Sequence, residues 1–202
     1  MDWSLLQALN GFLYHHDTVE DPLLAFIEAS EVLFAGTLLL VFVAAHGTRH
    51  VAWRRAAVAA VLTAVLALGI GMVISDLVDR ARPFVADPGA VHLFAHHSPD
   101  PGFPSDHATA AFAIAVAIML RKRAWGILAL VAAAVLAVGR VAIGVHYPSD
   151  VLAGASLGAA VALLLWVPPL RRRVDWLADL AGRPVDRALD WTASRVGLAW
   201  RP

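Results

Sequence analysis

The chain has 202 residues, 59% of them hydrophobic and 16% charged, with a formal net charge of zero and a mean hydropathy of +0.68. Soluble domains lie near 45–50% apolar and about 25% charged, so this composition excludes an ordinary soluble domain and points to a membrane protein. Cysteine is absent, which excludes disulfides and thiolate chemistry; the balanced charge is silent about partners, and no nucleic-acid partner is expected.

Residues 1–21 have neither a basic n-region nor a long apolar core, so no cleavable signal peptide is expected. Trp3, Leu5, Leu6, Leu9, Phe12 and Leu13 recur near the helical repeat, predicting an amphipathic helix lying on the membrane. Five apolar runs follow, Pro22 to Ala45, Val51 to Val78, Ser105 to Leu120, Ala124 to Gly144 and Ser149 to Val167. They are rich in Ala, Leu and Val without strand alternation, and in hydrocarbon only a helix satisfies its own backbone. The fold class predicted is therefore an all-α membrane bundle of about five spans, with interfacial amphipathic helices at both ends. Glu28 and Glu31 lie one turn apart in the first span, as substrate contacts or as an interfacial pairing. Gly69, Gly71, Gly154 and Gly158 predict close helix packing.

Residues 79–104 form a loop with Pro83, Pro88, Pro99, Pro101 and Pro104, long enough to be expected to carry function. Its His92, His96 and His97 read as solvated or lid residues rather than as a metal-binding tract. After Pro169, basic, acidic and Trp positions (Trp176, Trp191, Trp200) alternate, which predicts one or two interfacial helices or a disordered tail. The domain division expected is 1–168 for the membrane unit and 169–202 for a cytoplasmic amphipathic tail. Oligomeric state leaves no mark in the sequence.

Charge sets the expected topology. Arg49, Arg54 and Arg55 fall between spans one and two, Arg121, Lys122 and Arg123 between spans three and four, and Arg171, Arg172, Arg173, Arg183, Arg187, Arg195 and Arg201 after span five. With five spans these segments share one side, which the positive-inside rule makes cytoplasmic; the N-terminus is then outside. Only Arg80, Arg82 and Arg140 stand at the opposite, outer ends of spans, and charges placed there are expected to be functional.

Three segments converge on that outer side: Asp79–Phe84 (DRARPF), Phe103–Ala108 (FPSDHA) and Arg140–Asp150 (RVAIGVHYPSD). Together they offer guanidiniums, imidazoles, a hydroxyl and a helix N-terminus, the parts needed to hold a phosphate and attack it. These segments resemble the three signatures of the type-2 phosphatidic acid phosphatase (PAP2) superfamily, KxxxxxxRP, PSGH and SRxxxxxHxxxD. The matching residues are Arg82-Pro83, Pro104-Ser105 with His107, and Arg140, His146 and Asp150. The chain departs from the signatures at Ser75, where the first has Lys, at Asp106, where the second has Gly, and at Gly139, where the third has Ser. The RPF and FPSDHAT wording looks most like the undecaprenyl-diphosphatase branch.

Residue chemistry and the resemblance lead to the same roles. His146 stands as nucleophile and Asp150, four residues on, as its orienter; His107 is the general acid. Ser105 caps a helix whose first amides face phosphate. Arg82 and Arg140 supply cationic forks, with Arg80 as a candidate replacement for the missing Lys and Asp106 as a carboxylate beside the anion site. The resemblance implies a phosphohistidine intermediate and neither metal nor other cofactor, although His107, His146 and Asp150 are also the donor set of a metal facial triad. It further implies an isoprenoid or other lipid diphosphate substrate, membrane lipids as surroundings, and the plasma membrane of a bacterium as location. A phosphatase of phosphatidate or phosphatidylglycerophosphate is the nearer alternative, a non-catalytic lipid binder or transporter and a vanadate-dependent haloperoxidase the more distant ones.

Overall fold

The computed structural model of the chain describes residues 2–45 and 50–196, and every regular element among them is a helix. In chain order these are α1 (Asp2–Tyr14), α2 (Asp17–Ala44), α3 (Val51–Val78), α4 (Pro83–Ala86), α5 (Asp106–Met119), α6 (Arg123–Ala142), α7 (Pro148–Trp166) and α8 (Pro168–Val196). The expected positions Arg49, Trp200 and Arg201 lie outside the described residues.

Four helices, α2, α3, α6 and α7, are long and apolar enough to cross a membrane. The third predicted run becomes α5, whose 14 residues span about 21 Å at 1.5 Å per residue, short of the roughly 30 Å hydrocarbon layer. Its position explains the shortness, because α5 is packed by α3, α6 and α7. Its buried residues are five alanines (Ala108, Ala111, Ala113, Ala115, Ala117) with Thr109, Ile114 and Val116, so protein rather than lipid packs against most of it.

α5 and α7 approach each other closely along their length. A Cβ at Gly154 would stand 2.5 Å from the Ser105 carbonyl oxygen, and one at Gly158 would stand 2.3 Å from that of Thr109. Such contacts are impossible for a side chain, so the two backbones touch as small-residue packing in membranes predicts. Gly71 makes only ordinary contact, with Leu157 and Pro104, and Gly69 has nothing within 4 Å. The expectation of close packing therefore fails at Gly69, which is exposed on an outward face of α3.

α1 buries Leu6, Asn10 and Leu13 and leaves Leu5 and Phe12 exposed. Its inner face grips protein: the Asn10 amide donates to the carbonyls of His92 and Ala142, both at 2.8 Å, and accepts from the His92 N–H at 2.9 Å. At the far end of the bundle the described part of the tail forms a single helix, α8. There α8 docks on α3 and on the turn after α5 through ion pairs Arg54–Asp186 (2.6 Å), Arg55–Asp179 (2.7 Å) and Arg121–Asp175 (2.6 Å). Residues 169–196 are thus packed against the membrane unit. Arg54 and Arg80 bracket α3, so the arginine pairs holding α8 and the arginines of the convergent loops lie about 40 Å apart along that helix.

Candidate active site

Each site segment is a helix end or the turn beside one. Asp79 takes the left-handed conformation (φ 46°) that ends α3, and the chain then runs through Arg80 and Arg82 into α4. Ser105 is the N-cap of α5, its hydroxyl accepting the Ala108 N–H, while its own N–H donates to the Asp150 carbonyl at 3.0 Å. That bond ties the second segment to the third. Asp150 occupies the first turn of α7 and closes a capping box with Tyr147.

His146 is buried to 2% exposure in the turn between α6 and α7. Its Nδ1–H donates to the Gly102 carbonyl at 2.9 Å, and its Nε2 accepts from Arg82 Nη1 at 3.1 Å. The partners therefore assign the Nδ1-protonated tautomer, which leaves the lone pair on Nε2. Burial, with Arg140 and Arg82 adding to it and Asp150 opposing, pushes this imidazole down to about 4, so it is a free base at neutral pH.

The expected orienter, Asp150, is fully buried with Oδ2 at 3.7 Å from His146 Nδ1. It supplies charge behind the ring, whereas the hydrogen bond itself goes to Gly102. Sequence reasoning did not find Gly102, because a carbonyl carries no residue signature. A Cβ at this position would stand 2.9 Å from Arg82 Cγ, so glycine is required by the closeness of that side chain.

Arg82 and Arg140 are both buried. Arg82 donates to the carbonyls of Asp100 (2.9 Å) and Val145 (3.3 Å) and pairs with the Asp100 carboxylate at 3.3 Å. Arg140 Nη2 donates to His97 Nε2 at 2.6 Å, and its buried Nε has no hydrogen-bond partner among the described residues. His97, read from sequence as a solvated or lid residue, is thus part of the cluster, with its ring centroid 6.4 Å from that of His146. Burial lowers its pKa, and the nearby Arg82 and Arg140 add to the effect; the neutral ring accepts from Arg140. Its only sequence signal was its place in a proline-rich loop.

His107, in the first turn of α5, lies within electrostatic reach of Arg140, His146, His97 and Arg82, and its Nε2 is 3.2 Å from the Glu31 carboxylate. Glu31 is therefore at the site, while Glu28 is exposed one turn earlier and outside the cluster. Asp106 is exposed beside His107, within reach of Arg82 and Arg140. Arg80, expected as a substitute for the missing Lys, has its guanidinium held by the carboxylates of Asp150 (2.6 Å) and Asp2 (3.1 Å).

An apolar cavity of about 730 Å³ adjoins His107. It runs between α2, α3 and α5 from Glu31 to Phe42, about 16 Å along α2.

The family model of the PAP2 superfamily matches residues 56–173, which contain every signature residue described above. The chain belongs to the PAP2 superfamily. It is 31% identical over 169 residues to undecaprenyl-diphosphatase BcrC of Bacillus subtilis, covering 82% of this chain and 83% of that protein. It is 38% identical over 114 residues to the putative undecaprenyl-diphosphatase YbjG of Escherichia coli, covering 52% and 57% respectively. Among solved structures, LpxE of Aquifex aeolicus superposes with a TM-score of 0.62 at 23% identity, over 81% of this chain and 93% of that one. That likeness establishes the fold, and the sequence matches place this PAP2 protein in the undecaprenyl-diphosphatase branch. It is a multi-pass membrane phosphatase, a hydrolase.

Proposed function

We propose that this PAP2 phosphatase removes the terminal phosphate of a lipid diphosphate, undecaprenyl diphosphate before others, at the outer face of a bacterial plasma membrane. The observation that carries this reading is the junction of the buried His146, Arg82 and Arg140, joined by His97, with the apolar cavity at His107. A substrate with a long apolar tail and a compact anionic head fits a site of that shape. The names of the two relatives support a polyprenyl diphosphate over a glycerolipid phosphate. Sidedness is supported by charge, since Arg54, Arg55, Arg121, Lys122 and Arg171–Arg173 lie at the bundle end opposite the site and favour the cytoplasm. Regeneration of the monophosphate carrier lipid for cell-wall synthesis is the role this implies.

In the mechanism, Nε2 of His146 attacks the terminal phosphorus in line with the bridging oxygen. The P–N bond forms as the P–O bond breaks, and His107 gives its proton to the departing lipid monophosphate. Arg82 and Arg140 hold the equatorial oxygens and spread the developing charge. Water then attacks the phosphohistidine, with His107 taking its proton, and inorganic phosphate leaves.

The test is phosphate release by purified protein from undecaprenyl diphosphate, phosphatidate and phosphatidylglycerophosphate in excess EDTA, with trapping of labelled protein. The expected result is turnover of the prenyl diphosphate and an acid-labile label lost in His146→Ala. Turnover restored only by Mg²⁺ or Zn²⁺, with no label trapped, would overturn the histidine mechanism. Preference for a glycerolipid would overturn the substrate.

A further inference from the structure

Asp150 is enclosed by a ring of bonds that the phosphatase reaction does not account for. Its Oδ1 accepts Arg80 Nη1 at 2.6 Å, and its Oδ2 accepts the Tyr147 N–H at 2.8 Å. Arg80 Nη1 also donates to Ser149 Oγ at 2.6 Å and Nη2 to Asp2 at 3.1 Å, and the guanidinium lies 4.1 Å over the Tyr147 ring. Asp2, the first residue of α1, accepts the Ser149 N–H at 3.0 Å and the Ser149 hydroxyl as well. Partial burial would raise the Asp2 carboxyl, yet the hydrogen bonds from Ser149 and Arg80 hold it below its ordinary value. The backbone of Arg80 reaches the nucleophile by a second route: its carbonyl accepts the Gly102 N–H at 2.8 Å, and the Gly102 carbonyl accepts His146 Nδ1–H.

We propose that Arg80 is a positioning residue, which together with Asp2 of α1 holds the Asp150 carboxylate fixed behind His146, and that it makes no contact with the transferred phosphate. This rests on the reading of His146 as nucleophile. A buried carboxylate keeps its place through the charged and polar groups bonded to it. The groups facing Asp150 are Arg80, Asp2, Tyr147 and His146, with Arg82 and Arg140 beyond the imidazole. Among the described residues Arg80 is the arginine bonded to Asp150. Without it the carboxylate is no longer held against the ring, and the phosphohistidine, which carries positive charge on the ring, loses its fixed counter-charge. α1 thereby becomes part of the site, because its first residue anchors the arginine.

The experiment compares wild type with Arg80→Ala, Arg80→Lys and Asp2→Asn for kcat, KM, vanadate inhibition and the ¹⁵N spectrum of His146 in detergent. Arg80→Ala is expected to lower kcat about 10–100-fold, the range typical of outer-shell partners, with KM and the vanadate constant changed less than about threefold, and to shift the ring ¹⁵N signals of His146. Arg80→Lys should restore kcat in part, and Asp2→Asn should lower it by less than Arg80→Ala does. A raised vanadate constant and KM would make Arg80 a phosphate ligand and overturn the proposal. Loss of folded protein in Arg80→Ala leaves Arg80→Lys and Asp2→Asn to be read, and wild-type kinetics in both would likewise overturn it. The ¹⁵N spectrum uses no substrate, so it separates the two ideas. An inactive wild type, or an active His146→Ala, counts against the nucleophile; His146 ¹⁵N signals unchanged in the Arg80 variants count against the positioning role.

Discussion

His146 shows how a turn can make a base. Enclosed at 2% exposure beside two guanidiniums, it keeps its Nε2 lone pair unprotonated, facing Arg82, because the ring proton sits on Nδ1 and goes to the Gly102 carbonyl. Two predictions belong to this scale. His146→Ala should abolish phosphate release, whereas His107→Ala should leave a residual rate on substrates with a good leaving group, since a general acid contributes about 10²–10⁴-fold. Equal residual rates in steady-state assays would undo the division of roles. The second concerns pH: the nucleophile is lost on protonation, and its pKa is depressed to about 4. The acid limb of kcat/KM should therefore fall below pH 5, not near the 6.5 of free imidazole. A limb near 6.5 in wild type would assign it to a different group.

For the elements, the decisive contact is backbone against backbone. Gly158 lies where α7 crosses α5, and a methyl there would meet Thr109 and Ala113 at under 3 Å. Gly158→Ala should lower thermal stability by about 1–3 kcal/mol, the usual cost of overpacking, and should reduce activity too, because the same crossing carries the Ser105–Asp150 bond. Gly69→Ala, with open space around it, should be neutral or should raise Tm, since alanine favours helix by up to about 1 kcal/mol. Thermal unfolding in one detergent compares the two. A similar loss in both would mean that helix propensity rather than the crossing decides. The run lengths of the spans were legible because hydrocarbon demands them, as α3 matches its predicted Val51 to Val78. The central place of α5 was not, since its alanines look the same whether they face lipid or protein.

On the scale of the whole molecule, the two ends of the bundle differ in chemistry. One end gathers Arg82, Arg140, His97, His107 and His146; the other carries the pairs Arg54–Asp186, Arg55–Asp179 and Arg121–Asp175 that hold α8. The chain has no native cysteine, so single cysteines report sidedness cleanly. Ser98→Cys should be labelled by an impermeant thiol reagent in sealed cells, and Lys122→Cys should be labelled only after lysis. The reverse pattern would place the site on the cytoplasmic side and remove the outer-face substrate.

Membrane class, the spans and the three signature segments were written in the chain, because apolar length, charge placement and short-range spacing are local properties. Arg82, Arg140, His107, His146 and Asp150 could be picked out in this way, and alternating helix direction was enough to bring their segments to one end. The assignments made only by packing concern partners distant in sequence. Arg80 reads in sequence as a phosphate ligand, and packing sets the carboxylates of Asp2 and Asp150 against it. His97 looks like a loop residue until Arg140 meets it, and Gly102 has no side chain to announce the carbonyl that receives His146. Which cation serves substrate and which serves another side chain depends on the nearest opposite charge in space, and that distance exists only after the helices pack.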